Sequence, residues 1–196
     1  QGTVLASPMA MAAVAASVAE GSTVVPRLLP ELPAPDVDPA APLTPEEAED
    51  RRKVFDIDLL ADRLLLAKAW LEEEPRTMKL RLCYFGASTG AGAALQAAAR
   101  EPSNIHAVVS RGGRPDLAEP YLPSVTAPAL RIVGGWDEPV IEMNQSAYEM
   151  LTCEKKLIVV PGATHLFEEP GTLEQVAEHA CRWFLRHLHR EGKTKG

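Results

Sequence analysis

The sequence predicts an α/β protein built on a mostly parallel sheet with helices on both faces. Three observations predict it. Apolar runs of strand length, "LRLCYF", "HAVVS", "ALRIVGG" and "KKLIVVPG", alternate with helix-like segments. Several of these runs are continuously apolar, the pattern of strands covered on both sides. A chain of 196 residues, 46% hydrophobic and 24% charged, suits one domain with a substantial core.

Residues 1–30 read as a short strand near 3–6, a helix near 10–20 and a strand near 23–28, with Gly21-Ser22 as the stop. The uncharged run 4–19 is similar to the apolar region of an export signal. It lacks a positive leader, since the first basic residue is Arg27, and it is short for a membrane span. It is therefore read as part of the fold, and the protein as cytoplasmic. "PELPAPDVDPAAPLTPEE" is proline-dense and reads as a surface loop. Thr44-Pro45-Glu46-Glu47 then carries a helix start, with Thr as N-cap, Pro in the first position and Glu47 closing a capping box.

Ile57, Leu60, Leu64, Ala67 and Leu71 recur at three- and four-residue spacing, so 57–74 is an amphipathic helix ending before Pro75. "LRLCYF" is a strand, and 89–100 is a helix stopped by Glu101-Pro102. "HAVVS" is a strand running into the turn Gly112-Gly113, "ALRIVGG" is the next strand, and 142–151 forms a short helix. "KKLIVVPG" is the last strand. The final helix carries Leu173, Val176, Ala177, Ala180, Phe184 and Leu188 on one face. The whole is one domain, 1–196. Within it, 1–43 is a divergent N-terminal segment, atypical or truncated, and 44–188 is the regular core.

A net charge of -7 leaves no cationic surplus to neutralise phosphates, which argues against nucleic acid or an anionic membrane as partner. Cys83, Cys153 and Cys181 show no metal-ligand spacing. Their odd, sparse count fits reduced thiols, with Cys83 and Cys181 as small core fillers. The Glu46–Lys53 charges read as a solvated helix face.

The stretch that carries chemistry is "YFGASTG" followed by "AGAALQAAAR". Gly86-x-Ser88-x-Gly90 sits between an apolar strand and a helix, the setting of a nucleophile elbow. The turn strains the backbone at the serine, and side chains at both glycines would collide with strand and helix. Ser88 Oγ is thereby lifted above the carboxyl edge of the sheet, with the Thr89 N–H as an oxyanion donor. The plainer reading is a tight turn with an incidental serine. A neutral serine needs a base held by a carboxylate. In a parallel sheet these come from loops after later strands, at the same edge. "LRIVGGWDEPV" offers Asp137, with Glu138 as competitor and a simple turn as the plain alternative. "LIVVPGATHLFEE" offers His165. Of the other histidines, His179, His187 and His189 lie in or beyond the last helix, and His106 opens a strand at the opposite end. Arg111-Gly112-Gly113-Arg114 follows a strand at the site edge, where Arg111 could grip a substrate carboxylate or be simply solvated. Trp136 is a pocket-lining candidate for which packing is the favoured reading.

The phrases "FGASTGAGAAL", "VVSRGGRPDLA", "APALRIVGGWDEPV" and "VPGATHLFEEPGTLEQVA" together resemble the α/β-hydrolase superfamily, in its dienelactone-hydrolase-like branch. The order Ser88, Asp137, His165 is the order of that superfamily. The resemblance spans about 44–188 and implies an α/β-hydrolase-type sheet. It also implies a hydrolase of esters or related acyl compounds, with Ser88 as nucleophile, His165 as base and Asp137 as its orienting acid. Dienelactone hydrolases proper carry cysteine as nucleophile, so this is a serine variant. Relatives supply a second oxyanion donor from a His-Gly-containing loop after their first strand. Here that place reads Leu5-Ala6-Ser7-Pro8-Met9-Ala10, where Pro8 cannot donate. "VLASPMAMAAVAASVAEGSTVV" is faintly similar to a terminal strand–helix–strand of the phosphoribosyltransferases fused to some related domains. No phosphoribosyl-pyrophosphate loop is present, so that activity is not implied. The segment is a remodelled first βαβ unit or a fusion remnant.

The expected function is a serine hydrolase cleaving a small carboxylic ester or lactone through an acyl-enzyme, with no metal or organic cofactor. Its expected partner is that small molecule, not nucleic acid or membrane. The alternative is a catalytically weak or inactive module for small-molecule binding or assembly, derived from a phosphoribosyltransferase fusion. Losing one oxyanion donor costs about 10²–10³ in rate.

Overall fold

Alternating apolar strands and helices leave each parallel strand end at a common edge, and that edge is where the sequence places its chemistry. The computed structural model describes residues 55–188. Expectations for residues 1–54, including the proline-rich loop, the capping box and the segment around Pro8, lie outside the described residues, as does His189.

The elements in chain order are α1 (Ile57–Glu73), β1 (Leu82–Ala87), α2 (Thr89–Arg100), β2 (Ile105–Arg111), a 3-10 segment (Pro115–Ser124), β3 (Ala129–Gly134), α3 (Glu138–Met150), β4 (Lys155–Val160) and α4 (Thr172–Leu188). The four strands lie in sequence order, β1-β2-β3-β4, and every pairing is parallel. Consecutive strands are thus neighbours joined by crossovers, the simplest parallel connectivity.

Burial along each strand follows its place. Inner β3 is buried at every position, and β2 at all but His106 and its last residue, Arg111. The outer strands β1 and β4 are only partly buried. Side-chain alternation divides the core in two. On one face Val108 packs with Ala94, Leu95 and Ala98 of α2, Leu122 of the 3-10 segment and Ala147 of α3. On the other, Ala107, Val109, Leu130 and Ile132 pack with Val176, Ala180, Trp183 and Phe184 of α4. α2 is buried through eight consecutive residues, Ala91 to Ala98. Its alanines and Gly92 let it lie close to the sheet on one side and to the 3-10 segment on the other.

The structure corrects several local expectations. α3 begins at Glu138, not at 142, with Asp137 as N-cap and Pro139 in the first turn. Proline there forfeits only an N–H that has no helical partner. In α4, Leu173 is 53% exposed and Ala177 is also exposed, whereas Trp183 and His187 are buried. The buried stripe therefore runs Val176, Ala180, Phe184 and His187. The 3-10 segment, carrying Pro120 and Pro123, was not foreseen, because its pattern matches neither period. Cys83, Cys153 and Cys181 are all of intermediate burial, and burial pushes the Cys83 thiol up to about 12. None of the described helices is long and apolar enough to cross a membrane.

Candidate active site

Ser88 follows β1 directly and precedes α2. Its backbone is at φ 50°, ψ −122°, a region that costs a non-glycine residue about 1–3 kcal/mol. Three backbone bonds hold it there: Ser88 N–H donates to Arg111 O at 3.2 Å, and Ser88 O accepts from Ala91 N–H and from Arg114 N–H, each at 3.1 Å. The strain depends on Gly86. A Cβ at that position would stand 2.4 Å from Gly90 O and 2.5 Å from Ala91 Cα, both backbone atoms. Gly90 differs from expectation: a Cβ there meets nothing within 4 Å. Only the first glycine of the motif is sterically required. Thr89 opens α2, so its N–H has no carbonyl four residues behind it to bond.

Asp137 and His165 meet. His165 Nδ1 and Asp137 Oδ2 are 2.6 Å apart, with the Asp137 side chain 13% exposed and that of His165 39% exposed. Two loops must be docked for this to happen. Gly135 N–H donates to Val160 O at 2.8 Å, and Trp136 N–H to Ala163 O at 2.9 Å. The docking passes over Gly134, where a Cβ would stand 2.4 Å from Thr164 O. The "GGWD" phrase is therefore the surface on which the histidine loop rests.

The His165 ring lies against the turn after β2. A Cβ at Gly112 would be 3.4 Å from both Cε1 and Nδ1 of His165. Ser88 bonds through its N–H to the carbonyl of Arg111, the last residue of β2 and the one before Gly112. Among the described residues Ser88 Oγ makes no hydrogen bond to His165. The structure brings His165 and Asp137 into contact and sets Ser88 on the adjoining turn at the same strand edge. Glu138 enters the first turn of α3. His106 bonds with its Nδ1 at Asn104 O, 3.2 Å away, and His187 is buried against Trp183. Neither shares the edge with Ser88.

The remaining candidates divide. Trp136 is 68% exposed, so it does not pack into the core. Arg111 donates from Nη1 to Leu166 O at 3.1 Å and lies with Cζ 5.4 Å from the Phe167 ring centroid. Its partial burial lowers the guanidinium pKa from the ordinary value. Sequence reasoning missed two supports. Thr164 N–H donates to Glu169 Oε2 at 3.0 Å, and that bond holds the Glu169 carboxyl below its usual range. Phe167, at φ 58° and 2% exposed, anchors the loop in the core. Among the described residues no group of three or more His, Cys, Asp or Glu is placed to hold a metal ion.

Comparison with known proteins follows the same lines. A solved dienelactone hydrolase from Anabaena variabilis is 55% identical, covering 75% of this chain and 70% of its own, with a TM-score of 0.70. A monoacylglycerol lipase from Paleococcus ferrophilus shares the fold at 17% identity and a TM-score of 0.56, over 65% of this chain and 76% of its own. A curated Mycobacterium tuberculosis relative, which carries the provisional name phosphoribosyl transferase, is 62% identical over 146 residues, or 74% of this chain. This chain spans about a third of that relative's length, 33%. The model of the dienelactone hydrolase family matches residues 16–189. The chain belongs to the dienelactone hydrolase family and has the α/β-hydrolase fold of that family of hydrolases.

Proposed function

We propose that this protein is a serine hydrolase of small carboxylic esters or lactones, with Ser88, His165 and Asp137 as its triad. The observation that carries the reading is the 2.6 Å contact between His165 Nδ1 and Asp137 Oδ2, made beside a serine held at φ 50°. A carboxylate on Nδ1 keeps the proton there and turns Nε2 into the acceptor, the tautomer a hydroxyl nucleophile requires.

In the proposed cycle, Ser88 Oγ attacks the substrate carbonyl carbon while His165 Nε2 takes its proton. The oxyanion receives a hydrogen bond from Thr89 N–H at the positive end of α2. Collapse of the intermediate expels the alkoxide, which leaves with the proton from His165. Water then attacks the acyl-enzyme, its proton passing to Nε2, and the second collapse returns Ser88 Oγ as leaving group with that proton. Asp137 stabilises the imidazolium in both halves without itself being protonated. Exposed Trp136, next in sequence to Asp137, is proposed as an apolar wall for the bound ester.

The test is labelling with a fluorophosphonate together with hydrolysis of p-nitrophenyl esters of increasing chain length. Wild type should be labelled and Ser88→Ala spared, with kcat for Ser88→Ala and His165→Ala lower by about 10⁴-fold or more. Absence of labelling in folded wild-type protein would sink the hydrolase reading in favour of a binding module.

A further inference from the structure

Arg111 bonds both to Ser88 and to the loop that carries His165. Its carbonyl oxygen accepts the Ser88 N–H at 3.2 Å. Its guanidinium Nη1 donates to the carbonyl of Leu166, the residue after His165, at 3.1 Å. The guanidinium also faces the ring of Phe167, its Cζ 5.4 Å from the centroid, and Phe167 is itself almost wholly buried. A planar cation over an aromatic face, with one N–H on a carbonyl, is a geometry a guanidinium can hold and solvent does not readily displace.

The loop that Arg111 grips needs holding. Phe167 occupies a left-handed backbone conformation at φ 58°, while the flanking Leu166 side chain is 57% exposed. The His165 ring in turn lies against Gly112, the residue after Arg111. We infer that Arg111 is a positioning residue, a strut that fixes the distance between the Ser88 turn and the His165 ring. This rests on the serine hydrolase reading. The role differs from that of a receptor for a substrate carboxylate, and the two part in experiment.

The experiment compares wild type, Arg111→Met and Arg111→Lys, each as the 196-residue chain, with far-UV circular dichroism to establish folding. Three readouts are taken: the rate of fluorophosphonate labelling, kcat and KM for p-nitrophenyl acetate and for a p-nitrophenyl ester bearing a free carboxylate, and the His165 Cε1–H resonance at fixed pH. A strut predicts labelling and kcat of Arg111→Met lower by about 10- to 100-fold for both esters, the scale of a misplacement of about 1 Å. KM for the neutral ester should stay within about twofold, and the His165 resonance should move. Arg111→Lys, which keeps a cation and a donor, should recover part of the rate. Labelling of Arg111→Met at the wild-type rate overturns the inference. So does a defect confined to KM for the carboxylate-bearing ester, which would make Arg111 the receptor. If wild type itself is not labelled, the hydrolase reading has failed. The strut is then judged on the resonance alone, and an unmoved His165 signal in Arg111→Met refutes it.

Discussion

At residue 86 a methyl group would be driven into the backbone of Gly90 and Ala91, whereas at residue 90 it would meet open space. Two alanine substitutions in one short motif should therefore diverge. Gly86→Ala must displace the first turn of α2 or the end of β1, at a cost of about 2 kcal/mol or more, in the range of strained core changes. Gly90→Ala, inside a helix and unobstructed, should leave stability unchanged or raise it by about 0.5 kcal/mol through the entropy of the unfolded chain. Urea titration of both variants checks this, and equal destabilisation of the two would refute the steric account. Ser88, Asp137 and His165 could be picked out of the sequence as candidates because each obeys a local rule: strand, small turn, polar residue. The Arg111–Leu166 bond could not, since its partners are 55 positions apart and nothing in either residue's neighbourhood names the other. The same holds for Gly134, read only as part of a strand, where a Cβ would meet Thr164 O on another loop.

At the scale of elements, the connection between β4 and α4 must present His165 while packing Phe167 inward, and Glu169 closes it by accepting the Thr164 N–H. That bond lowers the Glu169 pKa from its ordinary 4.5. A carboxyl with a depressed folded-state pKa stabilises the fold fully above its unfolded value, and the contribution is lost as pH falls through the folded value. Glu169→Gln keeps an acceptor but loses the charge. Its melting temperature should be below that of wild type at pH 7, and the gap should close as pH is brought below about 4. A gap that persists unchanged at low pH would show that the carboxylate charge contributes nothing. Element boundaries were read well where the period was unbroken, as at α2, predicted and found at Thr89–Arg100. They were read poorly where a cap doubled as a site residue. Asp137 was read as a turn residue or triad acid, and its N-cap position hid the first turn of α3.

At the scale of the whole molecule, the sheet is a partition between two cores among the described residues. One lies under α1, α2, the 3-10 segment and α3, and the other under α4. The burial of β2 and β3 was legible from their apolar runs. The division of labour between faces was not, because a fully apolar strand does not say which helix covers which side. The same partition decides how the protein should unfold. β2 sends Val108 to one core and Ala107 and Val109 to the other, so neither core can be lost while the strand remains intact. The tryptophans make this measurable. Trp70 and Trp136 are 43% and 68% exposed and Trp183 only 5%, so a change in tryptophan emission on unfolding reports mainly the α4 core. Far-UV circular dichroism is weighted to the helices of the opposite face. Phe184, 1% exposed beside Trp183, should cost about 3–5 kcal/mol when cut to alanine. In Phe184→Ala the emission and dichroism transitions should move together to lower denaturant, coincidence of probes being the mark of one cooperative unit. If emission moved alone, α4 would be a separately melting layer, and the proposed triad would rest on a sheet that does not need the helix following its own histidine loop.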